Sequence, residues 1–242
     1  MNATTTPHVV VIGLGYVGLP LAVALAERFK TTGFDIDRSR IDQLRTGLDR
    51  TREIDPERMK ASSLLLTSRA QDATDADIYI VTVPTPVDAS NNPDLAPLIR
   101  GTRTVGSLIR PGRETIVVYE STVYPGVTED VCGAELERVS GLKRGVDFFL
   151  GYSPERINPG DREHTIDRIV KVVAGENEAV TNRLMELYGA VTSAGAFRAA
   201  SIKAAEAAKV IENAQRDINI AFMNEITQIF AGLGLSIWDV LD

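Results

Sequence analysis

Three glycines and one carboxylate near the start of the chain have the spacing of a nucleotide-binding turn. Gly13, Gly15 and Gly18 follow the apolar run 9–12 and open an apolar helical stretch. Asp35 lies about 20 residues further on, at the end of a second strand-like run. The first glycine permits a tight turn, the second lets the backbone approach a pyrophosphate, and the third allows close packing of helix on strand. This pattern predicts a dinucleotide site, because the N–H groups at a helix start attract phosphate.

The carboxylate also indicates which dinucleotide binds. Asp35 would accept hydrogen bonds from the ribose hydroxyls and repel a 2′-phosphate, so the sequence favours NAD over NADP. Arg38 and Arg40 lie nearby and keep NADP as the alternative. The alternative is that the glycines serve only to form a tight turn and bind no ligand. This alternative is disfavoured, because the preceding strand, the following helix and the acid all have the spacing of a dinucleotide-binding motif.

Polar side chains follow two later predicted strands, at the carboxyl edge where an open parallel sheet binds ligands. Val-Pro-Thr-Pro occupies 83–86, and its prolines either shape a ligand loop or simply end the strand. Glu-Ser-Thr-Val-Tyr-Pro-Gly occupies 120–126. Its Thr122 either offers a hydroxyl to a ligand or, like Ser121, caps a turn or helix.

A third segment, 152–160, places a glutamate between prolines after another predicted strand. Glu155 is a candidate general base or water-positioning group. The alternative is a surface ion pair with Arg156 or Arg162, which would contribute little to stability.

Lys209 and Asn213 are four residues apart on a predicted helix and therefore share one face. An ammonium beside a carboxamide can stabilise a developing oxyanion. On spacing alone, the favoured interpretation is a solvated polar face with pairs such as Glu206–Lys209 and Glu212–Arg216.

Composition excludes several classes of protein. The 242 residues carry a net charge of −7, which gives no electrostatic case for nucleic-acid binding. No apolar run approaches the ~20 residues of a membrane span, and we expect no signal peptide, since the first residues have neither a basic stretch nor an apolar one. Cys132 is the only cysteine, and His8 and His164 are far apart, so no metal site is expected. The cytoplasm is the expected compartment.

Strand-like and helical patterns alternate along most of the chain, which predicts an α/β fold of the Rossmann type, with a doubly wound, mostly parallel sheet. The predicted strands are 9–12, 31–35, 64–67, 78–83, 115–119, 148–152 and 170–174, with a last one around 192–197. Predicted helices include 16–29, 39–46 with Asp37 as N-cap, 95–109 and 128–139.

The pattern changes at Ser201. Apolar residues recur at helical spacing from there to about Leu233, which predicts one long helix buried on much of its circumference and ending at Gly232 or Gly234. We therefore expect an NAD-binding domain over 1–200 and, over 201–242, the incomplete start of a central helical domain or a dimer interface.

Together these segments resemble the UDP-glucose/GDP-mannose dehydrogenase family. Five phrases stand in the family's order: Gly-Leu-Gly-Tyr-Val-Gly-Leu-Pro, Val-Pro-Thr-Pro, Glu-Ser-Thr-Val-Tyr-Pro-Gly, Ser-Pro-Glu-Arg-Ile-Asn-Pro-Gly and Ala-Ala-Lys-Val-Ile-Glu-Asn. The fourth is typical of the branch that oxidises UDP-N-acetylhexosamines, as in Vi capsule synthesis, and this branch is the one that the sequence most resembles. UDP-glucose dehydrogenases carry a second glutamate where this chain has Pro159, which counts against UDP-glucose.

The resemblance implies oxidation of a sugar C6 alcohol to a carboxylate with two NAD in turn, through a cysteine-bound thiohemiacetal and thioester. Lys209 and Asn213 would hold the oxyanion, with Lys209 also an acid or base. Glu155 would assist thioester hydrolysis, and Thr122 would order the water or the nicotinamide.

The resemblance also assigns binding residues. Asp35 and Arg40 would hold the adenosine ribose, Tyr16 and Val17 would lie in the pyrophosphate turn, and Thr85 would line the nicotinamide side. The UDP-sugar substrate would contact four consecutive residues together with Lys209 and Asn213: Glu155, Arg156, Ile157 and Asn158. Family members form homodimers through the helix predicted from about Ser201 to Leu233.

One departure matters for activity. The family's nucleophilic cysteine lies beyond the long helix, and Cys132 stands at a non-matching position, where a small buried residue is expected. We therefore expect these residues to bind NAD without completing the oxidation. Two alternatives remain: a β-hydroxyacid dehydrogenase, which also joins a Rossmann domain to a helical segment, and a non-catalytic NAD-binding or dimerisation module.

Overall fold

The protein, seen in a computed structural model that describes residues 6–155 and 170–241, is built around one eight-stranded sheet. The strands are β1 His8–Ile12, β2 Lys30–Phe34, β3 Leu65–Thr67, β4 Ile78–Val81, β5 Thr115–Tyr119, β6 Phe148–Tyr152, β7 Lys171–Gly175 and β8 Ala196–Arg198. The helices are α1 Gly18–Ala26, α2 Arg38–Arg45, α3 Pro56–Ala61, α4 Ala96–Leu108, α5 Ala134–Ser140, α6 Glu178–Gly189, α7 Ile202–Gly232 and α8 Ile237–Leu241.

The central strands are apolar on both faces because helices cover both sides of the sheet. One buried layer joins Val9 and Val11 of β1 to α1, α2 and α6, and the other joins Val10 and Ile12 to α4 and α5. The doubly wound Rossmann-type fold predicted from the sequence is confirmed. Among the described strand pairs, β6 and β7 are the antiparallel exception.

The strand order β3-β2-β1-β4-β5-β6-β7-β8 places a topological switch between β1 and β4. The chain first winds outward from β1 to β3 and then crosses back to β4. Ligands of such sheets bind outside the carboxyl ends of the strands at this switch. The candidate ligand-binding residues are therefore those that follow β1, β2, β4 and β5.

Most predicted elements are confirmed within two residues at their ends. Asp37 caps α2 as expected, its Oδ1 accepting a hydrogen bond from the Arg40 N–H at 3.2 Å. The last strand lies further along the chain than predicted, at Ala196–Arg198. The predicted helix 128–139 begins as a π-helical segment, Val127–Gly133, before it becomes α5.

The long helix lies where it was predicted, and its predicted burial against a further domain or a second chain stays a prediction, because no such partner is present here. Within α7, the buried residues are Ile202, Ala205 and Glu206. Beyond them the apolar side chains face outward, with Ile218 66 % and Phe222 60 % exposed. The sequence pattern is amphipathic, but the surface that this face would cover is not part of the described chain.

No described helix combines the length and the apolar character that crossing a membrane requires.

Candidate functional site

A cavity of about 650 Å³ opens at the carboxyl edge of the sheet, at the switch between β1 and β4. This volume lies in the range of small-molecule and cofactor sites. Residues from the β1–α1 turn, the ends of β2, β4 and β5, helix α4 and the segment after β6 line it: Ile12, Gly13, Gly15, Tyr16, Val17, Phe34, Asp35, Ile36, Thr82, Val83, Pro84, Thr85, Pro86, Pro97, Arg100, Gly101, Thr104, Glu120, Ser121, Thr122 and Glu155. The structure therefore brings most of the sequence-predicted site residues to one cavity.

The glycine turn has the geometry that its spacing predicts. Gly13 has a φ of 94°, a conformation that residues with a Cβ rarely adopt, and its N–H donates to the Phe34 carbonyl at 2.8 Å. The Thr82 hydroxyl donates to the Gly13 carbonyl at 2.7 Å. A Cβ on Gly18 would stand 1.9 Å from that carbonyl oxygen, so only glycine lets α1 begin so close to the turn.

Gly15 faces open space. A Cβ at this position would meet no described atom within 4 Å. Among the described residues, no side chain caps the start of α1. The turn therefore presents backbone donors and free room on the cavity side, as an anion-binding helix start requires.

Asp35 links the turn to the end of β2. Its Oδ2 accepts the Leu14 N–H at 2.8 Å and its Oδ1 accepts the Asp37 N–H at 2.9 Å. A carboxylate has about four acceptor positions, so two remain for ligand hydroxyls. The half-buried side chain lines the cavity and is well placed for this contact.

Arg40 lies behind the turn, 1 % exposed, and is not one of the described residues that line the cavity. Its Nε donates to the Leu14 carbonyl at 3.0 Å, and its Nη2 stands 2.7 Å from Asp49 Oδ1. Although burial raises the pKa of Asp49, hydrogen bonds from Thr51 and Arg40 lower it below its usual range. In this geometry the guanidinium supports the turn, while direct contact with a ribose stays a prediction.

Two short hydrogen bonds join the loops after β4 and β5. The Ser121 hydroxyl donates to the Val83 carbonyl at 2.5 Å, and the Thr85 hydroxyl donates to the Thr122 carbonyl at 2.6 Å. Ser121 therefore ties two strand exits together and does not cap a helix. The exposed side chain of Thr122 lines the cavity.

A buried group of three charged residues and one tyrosine, which we call the lysine cluster, lies on the β5–β7 side of the cavity. It consists of Glu120, Glu155, Lys171 and Tyr188. Lys171 Nζ lies 2.8 Å from Glu120 Oε2 and 3.4 Å from Glu155 Oε2, and the Tyr188 hydroxyl donates to Glu120 Oε1 at 2.5 Å. Glu155 is only 8 % exposed and is therefore not a surface side chain. Its considered ion pair with Arg156 or Arg162 stays a prediction, since both arginines lie outside the described residues.

Burial and neighbouring charges shift the pKa values of the lysine cluster in opposite directions. Burial raises the pKa of Glu120 despite the attraction of the Lys171 ammonium. For Lys171, burial lowers the pKa, but the two carboxylates outweigh burial and raise it above its ordinary value. The lysine is therefore held in its charged form between two acids.

The start of α7 is fixed beside this site. The Glu206 carboxylate, fully buried, accepts the N–H groups of Gly126 at 2.6 Å and Thr128 at 2.9 Å. One turn later Lys209 is half-buried, and Asn213 is exposed. Neither is one of the described residues that line the cavity, so the predicted oxyanion pair is not brought onto its wall. The expected Glu212–Arg216 pair is present at 3.3 Å.

Three predicted substrate contacts, Arg156, Ile157 and Asn158, lie outside the described residues. Conversely, sequence reasoning missed Lys171 and Tyr188, and did not select Glu120 or Arg100. The available signals were a lysine inside the apolar run of β7 and a glutamate directly after the apolar β5. Among the described residues, no group of three or more His, Cys, Asp or Glu side chains is arranged to hold a metal ion.

Comparison with known proteins connects these features to a family. Residues 7–192 match the model of the UDP-glucose/GDP-mannose dehydrogenase family, NAD binding domain, and residues 203–242 match that of its central domain. The chain is 52 % identical to Protein CapL of Staphylococcus aureus and 50 % identical to the UDP-N-acetyl-D-glucosamine 6-dehydrogenase of Pseudomonas aeruginosa. These matches cover 97 % and 96 % of this chain but 55 % of each relative, so the chain spans about half their length.

Solved structures agree with this match. A UDP-D-ManNAc dehydrogenase from Pyrococcus horikoshii superposes with a TM-score of 0.88 at 32 % identity, over 96 % of this chain and 56 % of that one. A ternary complex of GDP-mannose dehydrogenase from Pseudomonas aeruginosa also gives a TM-score of 0.88, at 28 % identity, over 97 % of this chain and 55 % of that one. The chain belongs to the UDP-glucose/GDP-mannose dehydrogenase family and carries its NAD-binding domain.

Proposed function

We propose that the protein is an NAD-dependent nucleotide-sugar 6-dehydrogenase that oxidises the C6 alcohol of a UDP-N-acetylhexosamine to the uronate with two NAD. The observation that carries the proposal is that the glycine turn, Asp35, Thr122 and Glu155 line one cavity. Two relatives support the substrate class, since both are UDP-N-acetyl-D-glucosamine 6-dehydrogenases at 50 % and 47 % identity. The product would serve capsule or O-antigen synthesis.

The residues of the turn fit the cofactor. Gly13 and Gly18 set the turn, and Gly15, Tyr16 and Val17 face the cavity where a pyrophosphate would lie. Asp35 would take the adenosine ribose, with Arg40 supporting the turn from behind. When bound, NAD accepts a hydride from the substrate carbon.

On the opposite side, Thr85 and Thr122 would line the nicotinamide end. Glu155 would orient the attacking water or take its proton in the hydrolysis step. We retain Lys209 and Asn213 as the donors to the oxyanion because they stand in the family-like phrase Ala-Ala-Lys-Val-Ile-Glu-Asn, although neither is among the described lining residues. Arg156, Ile157 and Asn158 stay predictions for substrate binding.

The only cysteine of the 242 residues does not suit covalent catalysis. Cys132 is fully buried, and burial raises the pKa of its thiol to about 12, so its thiolate is scarce at neutral pH. We infer that these 242 residues by themselves bind NAD but do not convert a UDP-sugar to its uronate.

We further propose that α7 pairs with a second copy of the chain. Its outward apolar side chains, Ile211, Ile218 and Phe222 among them, are more than half exposed. A mass of two chains in solution would support this homodimer, and a mass of one chain at assay concentration would contradict it. The reaction is expected in the cytoplasm, where NAD and nucleotide sugars are available.

The decisive experiment measures NADH formation by the complete gene product with NAD and UDP-N-acetylglucosamine, with mass spectrometry of the sugar. We expect two NADH for each uronate formed. The control variant Glu155→Gln should keep NAD affinity and lose turnover. Oxidation of small hydroxy acids instead of UDP-sugars would indicate a β-hydroxyacid dehydrogenase, and stoichiometric NAD binding without turnover would indicate a non-catalytic module.

The 242-residue chain should be assayed beside the complete gene product. We expect NAD binding by calorimetry and no uronate. Uronate formation by this chain alone would contradict our inference about its thiol.

A further inference from the structure

One side of helix α4 forms a wall of the cavity. Four of its residues line the cavity and recur every three or four positions, so they share one face of the helix: Pro97, Arg100, Gly101 and Thr104. The neighbouring Arg103 faces away from the cavity, with its Nε 2.5 Å from Glu135 Oε1 of α5. The lining face of α4 is therefore turned away from α5 and towards the β1–β2 side of the cavity.

This face also comes close to the glycine turn. A Cβ on Gly101 would lie 3.5 Å from Val83 Cγ1, and a Cβ on Gly13 would lie 3.3 Å from the same atom. One methyl group thus separates α4 from the turn that receives the pyrophosphate. A dinucleotide bound at the turn would lie within reach of a long side chain on α4.

Arg100 is that side chain. It is the one basic residue among the described residues that line the cavity, and three acids line the same cavity. Its side chain is exposed and forms no hydrogen bond or ion pair with another described residue. The guanidinium is therefore available to a ligand that enters the cavity.

The opposite wall indicates which part of the dinucleotide the guanidinium meets. Asp35, at the end of β2, has acceptor positions left for ribose hydroxyls. Ile36 follows it directly, lines the cavity and is 84 % exposed. Because the base is bonded to the ribose, an adenosine held at Asp35 would place its flat, uncharged ring between Ile36 and α4.

A guanidinium matches the second face of such a ring. It is planar, delocalised and weakly hydrated, so it stacks on aromatic faces better than an ammonium does. We propose that Arg100 is a cofactor-binding residue whose guanidinium stacks on the adenine of NAD, across the cavity from Ile36. The proposal rests on the placement of the adenosine ribose at Asp35 in the proposed function.

Calorimetric titration of the complete gene product with NAD tests this contact. Arg100→Ala should weaken NAD binding about fivefold, which is the contribution of one stacked cation. The midpoint of urea unfolding should not change, because the side chain has no described partner to lose. ADP, which contains the adenine but lacks the nicotinamide, should lose affinity by the same factor. A loss for NAD without a loss for ADP would overturn the proposal.

Arg103→Ala is the matched control. It removes the same charge from the same helix, but this arginine pairs with Glu135 and does not line the cavity. NAD affinity should change less than about twofold, because water and salt screen an exposed charge. Equal losses in Arg100→Ala and Arg103→Ala would show an effect of net charge only and would overturn the proposal.

Two further titrations separate stacking from other roles of the arginine. Arg100→Lys keeps the positive charge but loses the planar group, so it should recover only a minor part of the lost affinity. Full recovery would assign the effect to charge alone and contradict the stacking. A larger loss of affinity for NADP than for NAD in Arg100→Ala would assign the arginine to a 2′-phosphate and would contradict it as well.

These titrations do not depend on the sugar that the enzyme oxidises. If the wild-type gene product binds NAD but oxidises no UDP-sugar, the proposed function fails, while the affinities still decide the role of Arg100. Asp35→Ala tests the ribose placement separately, and unchanged NAD affinity in that variant would contradict the placement and the proposal together. Equal affinities of Arg100→Ala and the wild type for NAD would overturn the proposal whatever Asp35→Ala shows.

Discussion

The two sides of the cavity are built in different ways. On the β1–β2 side, the wall is mainly a backbone turn, with the left-handed Gly13 and the start of α1. The Asp35 carboxylate beside it accepts two backbone N–H groups. On the β5–β7 side, the wall includes Glu120 and Glu155, and the buried Lys171 pairs with both carboxylates from behind. The first side offers backbone N–H donors to an anionic ligand, and the second side offers two carboxylates.

The difference determines which substitutions each side can tolerate. A backbone turn depends on the absence of side-chain atoms at a few positions, so a single added methyl group can destroy it. A buried charge cluster depends on every partner being present, because removing one leaves the others uncompensated. We therefore expect substitutions in the turn to act through steric clashes, and substitutions in the lysine cluster to act through uncompensated charges.

The largest effect should come from Gly18→Ala. Its Cβ would stand 1.9 Å from the Gly13 carbonyl oxygen and 2.3 Å from the Thr82 hydroxyl, and neither the turn nor β4 can move away cheaply. We expect a loss of about 3 kcal/mol in the free energy of unfolding. NAD affinity should fall at least 100-fold, about 2.7 kcal/mol. Urea unfolding and calorimetric titration measure both quantities.

Gly15→Ala is the matched control. No described atom lies within 4 Å of its added Cβ, so the free energy of unfolding should change by less than about 1 kcal/mol. NAD affinity should still fall by about tenfold, because the methyl group occupies room that a pyrophosphate needs. Equal affinities for NAD in Gly15→Ala and the wild type would contradict the placement of the pyrophosphate at this turn.

The contrast also explains what the sequence could reveal. The turn from Gly13 to Gly18 and its partner Asp35 lie close together in the chain, and their types follow from local sterics and hydrogen bonding. Such features can be predicted without knowing the rest of the fold. The strands could be predicted for the same reason, since their apolar runs are continuous.

The lysine cluster could not be found in this way, because its members come from four parts of the chain. Glu120 and Lys171 are 51 residues apart, and their pairing depends on β5, β6 and β7 being neighbours in the sheet. The surface that covers the apolar face of α7 could not be predicted either. Helical periodicity shows that one face is apolar, but it does not show which surface covers it.

The buried carboxylate of Glu206, at the start of α7, provides a further test, with a smaller expected effect on stability. Glu206→Ala would leave the N–H groups of Gly126 and Thr128 without their acceptor, and each unsatisfied buried donor costs about 1 kcal/mol or more. We expect the free energy of unfolding to fall by about 2 kcal/mol. Chemical denaturation measures it.

Lys203→Met is the matched control on the same turn of α7. Its ion pair with Asp130 spans 3.2 Å, but both side chains are more than half exposed, so its loss should cost less than about 1 kcal/mol. If Lys203→Met and Glu206→Ala destabilise the protein equally, the buried carboxylate does not anchor α7 as the hydrogen bonds indicate.

The smallest expected effects are pH dependences of opposite sign. Burial raises the pKa of Glu120 above its ordinary value of 4.5, against the pull of Lys171 and beside Glu155 and Tyr188. A raised folded pKa stabilises the protein at pH values below 4.5, and this contribution is lost as the pH rises through the folded pKa. The stability of the wild type relative to Glu120→Gln should therefore fall as the pH increases above 4.5.

Glu135, on the surface helix α5, should behave in the opposite way. Hydrogen bonds from Arg138 and Arg103 lower its pKa to about 2. Its contribution is therefore present above 4.5 and lost as the pH falls towards 2. Urea unfolding of Glu120→Gln and Glu135→Gln across this range should give pH slopes of opposite sign relative to the wild type. Slopes of the same sign would mean that the attraction of Lys171 offsets the effect of burial on the pKa of Glu120 completely. The buried pair of Glu120 and Lys171 would then behave like an ordinary surface ion pair.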